Sequence, residues 1–164
     1  MFKAAVLTVS DRCSRKERED LSGKVIIELI KGIGGEVIKY DIVPDEADLI
    51  EKKLLSYCDD LRADFVFTTG GTGFGARDVT PEATNAVAEK TIPGIPELIR
   101  LEGLKKTKNA MLSRGVSVIR KSSVIINLPG SPKGVRESLT AILDVIPHAF
   151  DMLKGAGHNE TPPQ

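Results

Sequence analysis

Short apolar runs alternate with longer amphipathic stretches along this chain, and that alternation limits the fold more than any other feature. Residues 4–9 are apolar at nearly every position, which is typical of a strand buried on both faces. The next stretch places four aliphatic side chains on one helical face: Ile26, Leu29, Ile30 and Ile33. Further strands are predicted at residues 36–43 and 64–69. This order predicts an α/β fold: a three-layer αβα sandwich with a mostly parallel sheet and helices on both faces.

The last third of the sequence departs from the parallel pattern. Two short apolar runs at residues 116–120 and 124–128 predict one antiparallel hairpin. Pro147 either kinks the last helix or starts a new one. Residues 1–157 are predicted to form a single domain, and the polar, proline-bearing residues 158–164 a flexible tail.

Local signals predict how individual residues are used. Ser22 and Thr80 each precede a helical pattern and are predicted to be N-caps. Cys58 falls on the apolar stripe of a helix and is predicted to lie in the core. The mixed charges of residues 15–20 predict a solvated loop, and residues 91–94 another loop.

Composition excludes several classes of protein. The 164 residues include 23 Lys plus Arg and 23 Asp plus Glu, so the formal net charge is zero. This balance argues against a nucleic-acid or membrane-surface binder. No apolar run approaches the ~20 residues of a membrane span. Cys13 and Cys58 lie far apart, which disfavours a zinc site or a disulfide framework, and a cytoplasmic location is expected.

Polar residues follow the predicted parallel strands at their carboxyl ends, where α/β proteins bind their ligands. These segments are Ser10-Asp11-Arg12, Pro44-Asp45-Glu46, the glycine turn at 70–75 with Arg77-Asp78 after it, and Asn127-Leu128-Pro129-Gly130-Ser131. Exposed N–H groups in glycine turns suit phosphate oxygens, and neighbouring carboxylates suit Mg²⁺. The sequence therefore predicts a site for a phosphorylated ligand and magnesium.

Structural explanations for the same residues stay open at this point. The glycine turn matches neither a P-loop nor the GxGxxG fingerprint, so it could be only a tight strand-to-helix connection. Asp45 could be an N-cap, and Asp78 could cap a helix or pair with Arg77. Asp11 could form a surface ion pair with Arg12. The histidines lie away from any evident nucleophile, which disfavours a Ser-His-Asp hydrolase.

Six motifs, in order, resemble one known family. They are Leu7-Thr8-Val9-Ser10-Asp11-Arg12, Asp20-Leu21-Ser22-Gly23, Val43-Pro44-Asp45-Glu46, the segment from Thr69-Gly70-Gly71-Thr72-Gly73 through Arg77-Asp78-Val79-Thr80-Pro81-Glu82-Ala83, Met111-Leu112-Ser113-Arg114, and Ile126-Asn127-Leu128-Pro129-Gly130-Ser131-Pro132. Together they resemble the molybdopterin adenylyltransferases, a molybdenum-cofactor family related to gephyrin and to the G domain of plant Cnx. The likeness covers residues 3–153.

The resemblance implies an enzyme that joins AMP from ATP to the terminal phosphate of molybdopterin, with Mg²⁺ as cofactor. It implies that Asp45 and Asp78 are the catalytic residues and the metal ligands. It also implies a set of substrate-binding residues: Ser10, Asp11, Gly70, Gly71, Thr72, Gly73, Arg77, Ser113, Arg114, Asn127, Pro129, Gly130 and Ser131. A homotrimer and hand-over to a metal-insertion protein are expected from the family, with no nucleic-acid or membrane partner. The alternative is a non-catalytic pterin-binding paralogue of the same fold, a branch that often lacks both aspartates.

Overall fold

A single six-stranded sheet organises residues 1–155, the part of the chain that the structure, a computed structural model, describes. The strands are β1 (Lys3–Val9), β2 (Glu36–Val43), β3 (Phe65–Thr69), β4 (Lys90–Thr91), β5 (Ser117–Arg120) and β6 (Ser123–Leu128). Their order in the sheet is β2-β1-β3-β6-β5-β4. The pairs β2–β1, β1–β3 and β3–β6 are parallel, and β5 runs antiparallel to β6 and β4. The predicted β5–β6 hairpin is confirmed, and the structure adds β4, which includes Thr91 from a predicted loop.

The helices cover both faces of this sheet. They are α1 (Asp11–Ser14), α2 (Leu21–Gly32), α3 (Ala47–Leu55), α4 (Thr80–Ala86), α5 (Gly94–Leu104), α6 (Pro132–Thr140) and α7 (Ile146–Leu153). A π-helical turn, Ser56–Asp60, extends α3, and 3₁₀ turns occupy Lys108–Leu112 and Leu143–Val145. Pro147 starts a new helix, which settles the choice that the sequence left open.

Two hydrophobic cores make this a three-layer structure. One core lies between the sheet and α2, α5, α6 and α7, and it takes the β1 residues Ala4 and Val6. The other lies against α3 and α4 and takes Ala5, Leu7 and Val9. Successive side chains of a strand point to opposite faces, so β1 is buried on both sides. The three-layer sandwich predicted from the sequence is confirmed.

The two predicted N-caps are wrong. Asp20, not Ser22, caps α2, because its carboxylate accepts from the Gly23 N–H at 2.9 Å. Asp20 is also buried, although the sequence placed it in a solvated loop. Val79 occupies the N-cap position of α4, while the Thr80 hydroxyl donates to the Gly70 carbonyl at 2.9 Å. In both places the predicted cap residue uses its hydroxyl to hold a loop of the candidate site instead.

Two further predictions concern the interior and the chain end. Cys58 is buried as predicted, and burial raises the pKa of its thiol to about 11. No helix within residues 1–155 has the length and hydropathy that crossing a bilayer requires. Residues 158–164, the predicted tail, lie outside the described residues, and the domain boundary at 157 stays a prediction.

Candidate active site at the carboxyl ends of the parallel strands

The glycine turn after β3 is held closely against its neighbours. Gly70 and Gly71 have φ values of +96° and +67°, where side chains with a Cβ are strained. A Cβ at Gly70 would overlap the Val9 carbonyl oxygen, and one at Gly71 would overlap the Thr80 hydroxyl. The turn is therefore fixed between the end of β1 and the start of α4. Its N–H groups at Gly71, Thr72 and Gly73 donate to no acceptor among residues 1–155.

Asp11 and Asp45 join the ends of β1 and β2 through two reciprocal hydrogen bonds. The Asp11 N–H donates to Asp45 Oδ2 at 2.8 Å, and the Asp45 N–H donates to Asp11 Oδ1 at 3.1 Å. Each carboxylate thus holds the backbone of the other residue. Asp45 Oδ1 accepts no hydrogen bond from the described residues and lies 3.3 Å from the position of a Gly71 Cβ.

Arg77 pairs with Asp11 in a two-pronged contact. Its Nε and one terminal nitrogen lie 2.6 and 2.8 Å from the two Asp11 oxygens. This guanidinium lowers the pKa of Asp11 to about 2. The ion-pair partner of Asp11 is therefore Arg77, 66 residues later, and not its neighbour Arg12.

The pKa of Asp45 is shifted in the opposite direction. Burial raises it, and the negative charges of Asp11 and Asp78 add to that effect. Asp78 accepts the Gly75 N–H at 2.7 Å through Oδ2, and its Oδ1 accepts no hydrogen bond within residues 1–155. Two carboxylates therefore flank the glycine turn, each with one oxygen free for another partner.

Arg114 holds the far side of the glycine turn. Its guanidinium donates to the carbonyls of Gly73 and Asp78, both at 2.7 Å, and its own N–H donates to the Thr72 carbonyl at 3.1 Å. It also pairs with Glu82 and lowers the pKa of that carboxyl. Arg114 therefore contacts mainly the backbone carbonyls of the turn and stabilises its conformation.

The second predicted turn, at residues 129–131, lies beside the first. The Thr69 hydroxyl donates to the Pro129 carbonyl at 2.6 Å, and the Ser22 hydroxyl donates to the Gly130 carbonyl at 2.7 Å. Ser131 caps α6 by accepting the Gly134 N–H at 3.0 Å. The ends of β1, β2, β3 and β6 therefore meet around one small area.

Asn127, a predicted site residue, uses its side chain inside the protein. It is 4% exposed, and its amide donates to the hydroxyls of Thr68 and Thr84, both at 2.9 Å. Its oxygen accepts the Val116 N–H at 3.2 Å. All of its hydrogen-bonding groups are thus engaged with the protein.

Two cavities are lined by different residues of the glycine turn. A cavity of about 310 Å³ is lined by the site residues Ser10, Asp45, Gly70, Gly71, Gly130 and Ser131. A larger and more apolar cavity of about 860 Å³ is lined by Thr72, Gly73, Ser113 and Pro129. Arg18 in the first, and Phe74, Arg100 and Arg136 in the second, were missed from the sequence. Phe74 lies inside the glycine turn but is not itself a glycine or a polar residue, whereas no motif marks the three arginines, which only the fold brings to the cavities.

The donor set fits magnesium better than a metal held by protein alone. Within residues 1–155, no three His, Cys, Asp or Glu side chains group as a metal site. Mg²⁺ is commonly bound by one or two carboxylates together with substrate phosphates. The free oxygens of Asp45 and Asp78, beside unpaired N–H groups of a glycine turn, have the chemistry of such a shared site.

Fold and candidate site together define an α/β protein whose polar loops gather where its parallel strands end. Residues 5–148 match the family described as the probable molybdopterin binding domain. Molybdopterin adenylyltransferase of Helicobacter pylori strain J99 is 49% identical over 152 residues, which are 92% of this chain and 86% of that protein. The Escherichia coli K12 protein of the same name is 34% identical over an alignment of 177 positions, gaps included. The alignment covers 99% of this chain and 90% of that protein.

A solved structure agrees with these relatives. The molybdopterin biosynthesis enzyme MoaB from Thermus thermophilus superposes with a TM-score of 0.90 at 48% identity, covering 94% of this chain and 98% of its own. This chain belongs to the probable molybdopterin binding domain family, and the resemblance seen in its sequence motifs is confirmed.

Proposed function

We propose that this protein transfers AMP from ATP to the terminal phosphate of molybdopterin and releases pyrophosphate. The observation that carries the proposal is the pair of carboxylates, Asp45 and Asp78, that flanks a glycine turn whose residues line two cavities. Two substrates need two binding volumes that meet at one reacting centre. The relatives named molybdopterin adenylyltransferase support a role in molybdenum-cofactor biosynthesis.

The chemistry needs no nucleophile from the protein. A phosphate oxygen of molybdopterin, ionised at neutral pH, attacks the α-phosphorus of ATP, and the bond to the pyrophosphate oxygen breaks. Both substrates are anions, so the site must hold them together against their repulsion. The free N–H groups of Gly71, Thr72 and Gly73 are donors for phosphate oxygens, and their position is set before substrate arrives.

Asp45 and Asp78 would hold magnesium through their free oxygens. When bound, Mg²⁺ neutralises charge on the α-phosphate and on the departing pyrophosphate. Arg114 keeps the glycine turn in place through the Gly73 and Asp78 carbonyls, which fixes the backbone that carries one of the two carboxylates. Asn127 is left out of the proposed contacts with substrate, because its polar groups are engaged inside the protein.

Substitution of Asp78 by asparagine tests the proposal. Asn keeps an oxygen for the Gly75 N–H but removes the charge that magnesium needs. We expect single-turnover formation of adenylylated molybdopterin to fall by ~10²–10³ at saturating ATP and magnesium. Circular dichroism should be unchanged. Asp48→Asn is the matched control, since it removes an exposed carboxylate from the first turn of α3.

Two outcomes would contradict this assignment. A rate for Asp78→Asn within about threefold of the parent would leave Asp78 only as a structural partner of Gly75. If the parent binds molybdopterin but releases no pyrophosphate from ATP, the protein is instead the non-catalytic pterin-binding paralogue.

We also propose the homotrimer that the family resemblance implies. Several large apolar side chains stay exposed, among them Phe74 at 73%, Leu101 at 60% and Met111 at 64%. Burial of such side chains between subunits would stabilise an oligomer. Light scattering at micromolar concentration tests this, and the monomer mass of 17.7 kDa would contradict it. Hand-over of product to a metal-insertion protein and a cytoplasmic location stay predictions.

A further inference from the structure

We propose that Arg77 and Asp11 form a positioning pair that orients Asp45. The inference rests on the proposed function, because it names what holds one of the two carboxylates in place. The family resemblance implies that Arg77 and Asp11 bind substrate. Their contacts in the structure point to a different use.

Every polar atom of the Asp11 carboxylate and N–H has a partner within the protein. Its two oxygens accept the Arg77 guanidinium at 2.6 and 2.8 Å, and Oδ1 also accepts the Asp45 N–H at 3.1 Å. The Asp11 N–H in turn donates to Asp45 Oδ2 at 2.8 Å. Each oxygen of the Asp11 carboxylate and the Asp11 N–H are therefore already hydrogen-bonded within the protein.

The fork of Arg77 sets the plane of the Asp11 carboxylate. A two-pronged arginine contact restricts rotation of a carboxylate more than a single hydrogen bond does. With that plane fixed, Oδ1 stays aimed at the Asp45 N–H, and the reciprocal bond to Asp45 Oδ2 holds the second carboxylate. Only Asp45 Oδ1 is then left open, and it faces the glycine turn at Gly71.

Arg77 also joins the two carboxylates of the site. It directly precedes Asp78 in the chain, so its anchor on Asp11 connects the loop that carries Asp78 to the end of β2 that carries Asp45. The surrounding charge is otherwise mostly negative. Arg77 faces Asp11, Asp45 and, at 4.0 Å, Glu46, while Arg15 acts on Asp11 from a greater distance.

The chain offers a matched control for the loss of such a pair. Arg120 binds Asp59 through the same fork, at 2.9 and 2.6 Å, in the part of the structure that holds β5 and the π-helical turn. Removing either fork deletes an ion pair of the same geometry. Only the Arg77 fork is connected to Asp45.

The kinetic test uses Arg77→Gln, Arg77→Lys, Asp11→Asn, the double variant Arg77→Gln/Asp11→Asn, and Arg120→Gln. We expect Arg77→Gln and Asp11→Asn each to lower kcat by about 10- to 100-fold, with KM for ATP and molybdopterin changed by less than about twofold. The double variant should be no slower than the slower single variant, because both substitutions disrupt the same ion pair. Arg77→Lys should fall between Arg77→Gln and the parent, and Arg120→Gln should keep the parent kcat.

A second readout does not depend on activity. The amide proton resonances of Asp11 and Asp45 report their bonds to the two carboxylates, and both should shift in Arg77→Gln and stay in place in Arg120→Gln. If the parent formed no adenylylated molybdopterin, the proposed function would fail while this measurement still decided the positioning role. A rise in KM without loss of kcat, additive losses in the double variant, or an unmoved Asp45 amide would each overturn the inference.

Discussion

The two ends of the sheet hold their carboxylates in opposite ways. At the amino end, Asp64 lies just before β3 and is 6% exposed, and both its oxygens are bonded: one to the Lys3 N–H and one to the Lys154 ammonium, each at 2.7 Å. At the carboxyl end, Asp45 has one bonded oxygen and one free, and burial together with two negative neighbours raises its pKa. A carboxylate whose oxygens are both bonded within the protein supports the fold. A carboxylate with an unbonded oxygen has a group available to a ligand.

Asp45→Asn should give the largest effect of these substitutions, and it tests the carboxyl end of the sheet. We expect adenylyl transfer to fall by ~10²–10³ while the melting temperature at pH 7 rises. Because the folded pKa of Asp45 lies above its ordinary value of 3.8, the folded state binds the proton more tightly than the unfolded chain. Ionisation therefore destabilises the fold as pH rises through that window.

Thermal melts at pH 4 and pH 7 check the sign of this effect. The stability gained by Asp45→Asn should be larger at pH 7 than at pH 4, because more of the parent carboxylate is ionised at the higher pH. A lower melting temperature for the variant at pH 7 would mean that the charge of Asp45 supports the fold, and the contrast with Asp64 would be lost.

Asp64→Asn should give an intermediate effect, on stability alone. The amide can accept from only one of the two donors, Lys3 N–H or Lys154 Nζ, and brings its own N–H group towards the other. We expect a loss of about 1–3 kcal/mol in the free energy of unfolding, measured in urea. Turnover per folded molecule should equal that of the parent, and a loss of turnover would connect the two ends of the sheet.

Glu28→Gln should give the smallest effect and serves as a baseline. Glu28 on α2 pairs with Arg136 on α6 at 3.0 Å, and both side chains are largely exposed. Exposed pairs contribute about 0–1 kcal/mol, so unfolding in urea should not change measurably. A loss above about 1 kcal/mol would show that surface pairing between α2 and α6 also supports the fold.

The sequence predicted the layers and the edge of the sheet where the candidate site residues gather, because both follow from local patterns. Buried strands such as residues 4–9 are apolar in sequence, and chain direction alone brings the carboxyl ends of parallel strands to one edge. The glycine turn was recognisable because Gly70 and Gly71 adopt conformations that other residues avoid.

Side-chain partners were less predictable, because they depend on distant segments. Asp20 and Ser22 are equally good caps two positions apart, and Asp20 is selected by hydroxyls from Thr8 on β1 and Tyr40 on β2, each at 2.5 Å. Asn127 belongs to a site motif, yet its donors are taken by Thr68 and Thr84, which lie 59 and 43 residues away. For Asp11, the sequence suggested the neighbouring Arg12 as a possible ion-pair partner, whereas the structure places Arg77 there.

The hydrogen bond from Ser22 to the Gly130 carbonyl has a consequence for how the molecule is made. It spans 108 positions of the chain and closes one wall of the smaller cavity. Contacts between distant segments form slowly, since the loop between them must first be ordered. During synthesis on the ribosome, that wall is missing until residue 130 has emerged. We therefore expect the smaller cavity to be completed late in biogenesis, after most of the sheet has been translated.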